Sequence, residues 1–444
     1  MGTPMPTTKA QVSGHKFLRR RVEHGLVMGD VRMIHDPLAI RRRALTFGAI
    51  AVGLISLGSG LLAWLQPNPA PGDAPIVRSA QGQLFVRVEE AYHPVANLAS
   101  ARIIAGEAAE PASIGKEYLD GAQLGSPLGI GDAPGFLAIG SPHAVGAWSA
   151  CFAGDAAVAE EEEFPTVIGD SGAVAAGETV VTEGLDVATL GEDQAALVES
   201  AGTQWMVTAG GRAALPEAET IEGRVMRRTL GITGDTHVWA VPEGVLNAYP
   251  ELPRLEFPSE LPAVLDTNKG AQGLWASVGS GANERVWPLT ESQATMLVDM
   301  GAELRRLDAA TVSSIPTTEP RGNLPSLVPQ WVGPNDGWLC ATPPTEERLS
   351  GEVAGLAQPA GGTVALSGDG VADHFLGLST GGVGVDTGNG YQVVSATGQR
   401  HAVAGVEVLE ALGVGRAHRA PWEVIRLLPE GTDLNREEAL KVTY

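Results

Sequence analysis

Hydrophobic positions along the chain fall into three regimes. In residues 11–43, QVSGHKFLRRRVEHGLVMGDVRMIHDPLAIRRR, the apolar Phe17, Leu18, Val22 and Leu26 recur at helical spacing among Arg19, Arg20 and Glu23. Ser13 is a candidate N-cap, and Asp36-Pro37 a stop. Residues 44–65, ALTFGAIAVGLISLGSGLLAWL, then hold no charge over 22 positions. As a helix this run is roughly 33 Å long, enough to cross a bilayer core while satisfying its own backbone. Beyond residue 83 the apolar runs become short, each followed by a turn rich in Gly or Glu and a second short run, the pattern of strand hairpins.

Charge sharpens this division. The chain of 444 residues has a net charge of −22, yet residues 1–43 carry nine Lys/Arg against three acids, so the excess of acid lies wholly beyond the apolar run. Arg41, Arg42 and Arg43 abut the start of that run and Trp64 sits near its far end, where an indole favours the interface. A positive flank stays inside, which predicts a cytoplasmic N-terminus and an extracytoplasmic remainder. A cleaved signal peptide fits poorly: the basic region is too long, and LQPNPAPGDAP offers no small-x-small site. The four prolines in 66–75 read as a stiff spacer. The acidic exterior repels nucleic acid, so no nucleic-acid partner is expected.

The basic arm has two readings. A basic amphipathic helix lies on anionic lipid. Alternatively its apolar positions, Phe17, Met28, Met33 and Ile34 among them, dock other subunits. The arm resembles the N-terminal signature of the EccB family of type VII (ESX) secretion systems. Gln11-Val12-Ser13-Gly14, Phe17-Leu18, Glu23, Leu26-Val27 and the run from Asp30 to Leu38 carry the match. The resemblance implies a structural membrane subunit of a secretion complex. Its implied partners are an EccC-type motor ATPase, EccD and EccE, with outer domains that dimerise within a hexameric assembly. It casts Phe17, Leu18, Arg20, Glu23, Leu26, Asp30, Arg32, Met33, Asp36 and Pro37 as the docking set. It also brings an ATPase label and, through a likeness of the repeats to phage cell-wall-binding modules, possible contact with peptidoglycan.

The exterior repeats itself. Gln83 opens QLFVRVEEAYHPV, Gln204 opens QWMVTAGGRAAL, Leu274 opens LWASVGSGANERVWPL and Gln392 opens QVVSATGQRHAV. Each leads into a helix-like segment: NLASARIIAG, ETIEGRVMRRTLGI, TESQATMLVDMGA and VEVLEALGV. Gly210 and Arg212 of the second copy match Gly398 and Arg400 of the fourth. The first and second copies start 121 residues apart and the third and fourth 118, so the chain reads as two halves, each a repeat, an insert and a repeat. Cys151 and Cys340 occupy like places in the two inserts, each just after a tryptophan, Trp148 and Trp338. A pseudo-two-fold would bring them together, and an extracytoplasmic compartment permits a disulfide. Free thiols or a metal pair are the alternatives, but no other Cys or His lies at ligand spacing. The resemblance implies the same single bond in a central domain.

Candidate chemistry is thin. Gly115-Lys116-Glu117 lacks both the Ser/Thr and the upstream glycine of a phosphate loop, and Lys269-Gly270 runs in the wrong order. Gly279-Ser280-Gly281 fits a hairpin turn. Gly169-Asp170-Ser171-Gly172 copies the setting of a protease serine, but His93 and His143 have no catalytic context, and Ser367-Gly368-Asp369-Gly370 repeats the turn in the other half. The acidic run from Glu160 to Glu163 reads as a solvated loop rather than a calcium site. No catalytic residue, metal or cofactor is expected.

Few aromatics (5%) beside 57 Gly and 30 Pro favour short strands and many turns. The expected fold is α+β: a single N-terminal transmembrane helix, then a pseudo-two-fold extracytoplasmic domain of four α/β repeat lobes around a central small β domain. The divisions are an arm at 1–43, the membrane helix at 44–65, a linker at 66–82, repeats at 83–135, 201–262, 271–327 and 389–430, central parts at 136–200 and 328–388, and a tail at 431–444.

Overall fold

The structure, a computed structural model, describes residues 8–29, 37–65, 69–135, 137, 147–154, 174–344, 351–378, 381–414 and 417–443. Two compact units emerge, the first residues 1–70 with 115–118 and the second the remainder.

The first unit is helical. Its arm helix, Lys9–Met28, starts at Thr8 rather than Ser13: the Thr8 hydroxyl accepts from the Gln11 amide while the Gln11 side chain accepts from Thr8, and Gly29 ends the helix at φ +70°. A second helix, Pro37–Leu65, contains residues 40–62, a stretch of 23 long and apolar enough to cross a membrane, none of it buried. The arm's Glu23 joins the two helices by accepting from Arg19 and Arg42, each at 3.1 Å.

Four sheets of one design dominate the second unit. In the third repeat, strands Ala263–Asp266, Leu274–Val278 and Arg285–Pro288 form an antiparallel meander, helix Glu291–Asp299 crosses over it, and Leu304–Arg306 returns parallel to the first strand. The first repeat has the same plan from Ile76–Arg78, the second from Gln194–Ser200 and the fourth from Gly382–Asp386, with helices Leu98–Ala105, Ile221–Thr229 and Val406–Leu412. Three of the four helices begin at a side-chain cap, Asn97, Thr220 or Thr290. Each repeat therefore opens one strand before the segment by which the sequence reveals it. The third repeat's hairpin runs through Gly279-Ser280-Gly281, where Gly279 sits at φ +81° and a Cβ would lie 2.6 Å from the Asn283 carbonyl oxygen.

The matching arginines of the second and fourth repeats hold matching places. Arg212 lies 4.9 Å over Trp205 and 3.4 Å from Glu251, while Arg400 lies 5.4 Å over Trp422 and 2.9 Å from Glu430. Burial lowers the Arg212 pKa, and Glu251 only partly offsets it.

Both inserts build one central seven-stranded sheet. At its middle, Trp148–Phe152 of the first half pairs antiparallel with Trp338–Ala341 of the second. Outer strands are exchanged: His374–Leu376 of the second half pairs with Thr179–Glu183 of the first, and Ala188–Thr189 of the first pairs with Ala354–Ala357 of the second. The halves therefore interlock. Around this sheet the repeats meet in pairs, first with fourth and second with third, through their helices.

Candidate functional site

Two features stand out: the arm, and the crosslink at the centre of the second unit. On the arm helix Phe17 is 53% exposed, Leu18 59% and Leu26 81%, so more than half of each of these large apolar side chains is open. Arg20 is also exposed. Glu23 is different, since its carboxylate is occupied by Arg19 and Arg42. Arg42, which the sequence offers only as part of a basic flank, is thus the residue that ties arm to apolar helix. His24 is buried on the arm, a position the sequence pattern did not single out. Pro37 opens the long helix, while Asp30, Arg32, Met33 and Asp36 lie outside the described residues.

At the centre, Cys151 and Cys340 stand directly opposite one another and are joined by a disulfide with the Cα atoms 4.0 Å apart. Neither is accessible. The bond fastens the middle of one half to the middle of the other across 189 residues of chain. The two tryptophans that precede the cysteines do not share a face. Side chains alternate along a strand, so an offset of three residues puts Trp148 on the opposite face from Cys151, in the main core and 6.3 Å from Phe375. An offset of two puts Trp338 on the same face as Cys340, within the smaller cluster around the disulfide.

The remaining motifs fall partly within the described residues. Lys116 begins a five-residue helix and is exposed. Residues 367–370 form the turn before the strand His374–Leu376. His93 bonds the Ser126 carbonyl oxygen through Nδ1 at 3.0 Å. The Gly169–Gly172 turn, His143 and the run Glu160–Glu163 lie outside the described residues. No pattern in the sequence singles out Arg102, whose guanidinium is almost wholly buried. It donates to the Leu412 carbonyl at 3.0 Å, the Ala109 carbonyl at 3.3 Å and Glu110 at 2.8 Å, tying the first repeat's helix to the end of the fourth's.

A family model described as "Type VII secretion system ESX-1, transport TM domain B" matches residues 5–334 and 358–443. The ESX-1 secretion system ATPase EccB1 of Mycobacterium tuberculosis is 28% identical over 474 aligned residues, covering 98% of this chain and 94% of that protein. The ESX-5 secretion system ATPase EccB5 of Mycobacterium marinum is 27% identical, covering 98% of this chain and 93% of its own. Among solved structures, a chain of an intact ESX-5 inner membrane complex superposes with a TM-score of 0.64 at 22% identity, covering 100% of this chain and 97% of that one. The EccB3 dimer from the ESX-3 core complex gives 0.63 at 22%, covering 83% and 100%.

Proposed function

We propose, from the premise that this chain belongs to the EccB family of type VII secretion transport proteins, that it is a structural membrane subunit whose arm docks other subunits and whose outer domain assembles outside the cytoplasm. One observation carries the reading: a single exposed apolar helix separates a basic arm that leaves its large apolar side chains uncovered from a sheet-rich acidic domain. Arg41, Arg42 and Arg43 support a cytoplasmic arm. The docking set is Phe17, Leu18, Arg20, Glu23 and Leu26, continued by Asp30, Arg32, Met33, Asp36 and Pro37, with the EccC-type motor ATPase, EccD and EccE as partners. Solved relatives occur in an ESX-5 inner membrane complex and as an EccB3 dimer, which supports a dimer of outer domains here.

The test is affinity purification of the full-length chain in mild detergent. The motor ATPase should co-purify with the wild type and be lost from Phe17→Ala/Leu18→Ala, while Cys151–Cys340 still forms. Recovery of the chain alone, or turnover of ATP by the isolated chain, in line with the name ATPase that its relatives carry, would overturn a purely structural role.

A further inference from the structure

Three asparagines of the second unit have their side chains held. Asn97 donates to the Ile130 carbonyl at 2.8 Å and accepts from the Ser100 amide at 2.8 Å. Asn323 donates to the Pro253 carbonyl at 2.7 Å and the Arg254 carbonyl at 3.1 Å, and Asn435 accepts from the Glu438 amide at 2.9 Å. Asn389 differs. It is exposed in the loop 387–390, which joins strands Gly382–Asp386 and Tyr391–Ser395 of the fourth repeat. Its only hydrogen bond among the described residues runs from its own amide to the Thr387 hydroxyl at 3.3 Å, so the carboxamide is unheld. The next residue is Gly390, and no other asparagine in the chain precedes a glycine. The Gly390 carbonyl oxygen accepts from the Thr387 amide at 3.1 Å and hydroxyl at 2.8 Å, but the Gly390 amide donates to nothing among the described residues. Gly390 sits at φ +134°, with nothing within 4 Å of where a Cβ would lie. A free amide nitrogen, without a Cβ beside it, therefore adjoins a free carboxamide.

We propose that Asn389 is a site of spontaneous deamidation, its carboxamide attacked by the Gly390 amide nitrogen. The bond that forms joins the Gly390 nitrogen to Asn389 Cγ, and the nitrogen gives up its proton. The bond from Cγ to Nδ2 breaks, and Nδ2 leaves as ammonia. Water then opens the resulting cyclic imide. Opening at Cγ gives aspartate; opening at the main-chain carbonyl carries the chain through the side chain and gives isoaspartate. Water is the sole co-reactant, and nothing is oxidised or reduced. Either product puts a carboxylate into the turn that follows Asp386, whose own carboxylate holds Arg419 at 3.2 Å. Isoaspartate also lengthens the main chain by a carbon atom next to the paired residues Asp386 and Tyr391, at the end of the hairpin. At Asn97, Asn323 and Asn435 the held carboxamide and the side chain of the next residue, Leu98, Leu324 or Arg436, both oppose the reaction. The site makes no use of the arm or of the membrane helix, so its failure leaves the assembly role untouched.

The test is ageing of the purified full-length chain in warm, mildly alkaline buffer, followed by digestion and mass spectrometry. The peptide holding Asn389 should show the mass change of NH₂ exchanged for OH on the order of tenfold or more faster than those holding Asn97, Asn323 or Asn435. Part of the product should be isoaspartate, which direct hydrolysis of a carboxamide cannot make. Gly390→Ala places a Cβ beside the attacking nitrogen and should slow conversion about tenfold. Alanine at this φ also strains the turn, so Asn389→Gln is the companion variant. Position 389 has no positive φ, and the longer side chain must close a larger ring. It should show no conversion over the same period, with the thermal transition of the wild type. Conversion at Asn389 no faster than at Asn323, a product that is aspartate alone, or a glutamine at 389 that converts as fast as asparagine each overturns the proposal.

Discussion

The meeting of the first and fourth repeats and that of the second and third are built from the same parts, yet only one is welded. Ile103 and Ile104 of the first repeat share a continuous buried cluster with Leu409 and Leu412 of the fourth, and the short helix Arg436–Ala439 packs over the seam. Arg102 bonds across it. The second and third repeats instead keep largely separate cores, bridged by Met296, which inserts from the third repeat into the cluster of the second. Their helices are joined by an Arg228–Asp299 pair at 2.9 Å, its arginine exposed. Chain connectivity explains the difference. The second repeat runs directly into the third, so the covalent chain holds that pair together. The first and fourth repeats are far apart in sequence, and their contact must supply its own cohesion.

The disulfide should matter most, because it joins the two halves at the middle of the central sheet. Cys151→Ser/Cys340→Ser removes a crosslink that closes a loop spanning 189 residues. In the chain-entropy treatment that costs about 5 kcal/mol. Thermal unfolding should move down in one step for all four repeats. A loss confined to one seam would mean that the central sheet does not couple the halves.

Truncations within the two seams should then diverge. Leu409→Ala and Leu297→Ala each remove a buried leucine, at about 3 kcal/mol. Hydrogen exchange should separate them. Leu409→Ala opens the shared core and raises exchange in the first repeat's helix, more than 300 residues away in sequence. Leu297→Ala sits in the third repeat's own cluster, and its effect should stay within that repeat. Equal spread in both variants would contradict the distinction between a shared core and separate ones.

A finer contrast lies in the two arginines. Arg102→Met strands the buried Leu412 carbonyl and should cost about 2 kcal/mol in denaturant unfolding. Arg228→Ala breaks a pair whose arginine is 68% exposed, and should cost less than about 0.5 kcal/mol. Each arginine bonds across to the neighbouring repeat's helix, Arg102 from a buried position to a carbonyl and Arg228 from an exposed one to a carboxylate.

Much of this architecture is legible in the sequence. Hairpin-plus-helix copies can be seen because their turns need Gly and their strands alternate, and the like placing of Cys151 and Cys340 follows from the doubled order. The opening strand of each repeat is harder to see. Ile76–Arg78 and Ala263–Asp266 have three or four residues each, too few for a period to show, and they sit beside prolines that read as linker. The tail is a further case: residues 431–443 look like an appendage, yet Leu434 is fully buried and Thr443 bonds the Gly129 backbone at 2.6 Å. A buried arginine such as Arg102 cannot be told from a surface one by composition, since its partners are carbonyls supplied by distant chain.

The smallest effect expected is one of pH, and it too belongs to the welded seam. Asp132 of the first repeat accepts from the Thr432 amide at 2.8 Å, and Thr432 in turn offers its carbonyl to Nδ1 of His401 at 2.9 Å. Burial raises the Asp132 pKa, but the bonds from Thr432 and the charge of His401 together outweigh it, leaving the carboxyl below its ordinary value of 3.8. A group with a lowered folded pKa contributes stability that is fully present above its unfolded pKa and is lost as pH falls through the folded one. Wild type should therefore exceed Asp132→Asn in melting temperature at about pH 5, with the gap closing below about pH 3. Because Asp132 is exposed, solvent screens the pair and the gap should be small. A gap that persists unchanged into acid would show that the bond to Thr432 is not worth more to the ionised carboxylate than to the protonated acid. The seam would then be held by its shared core and Arg102 alone.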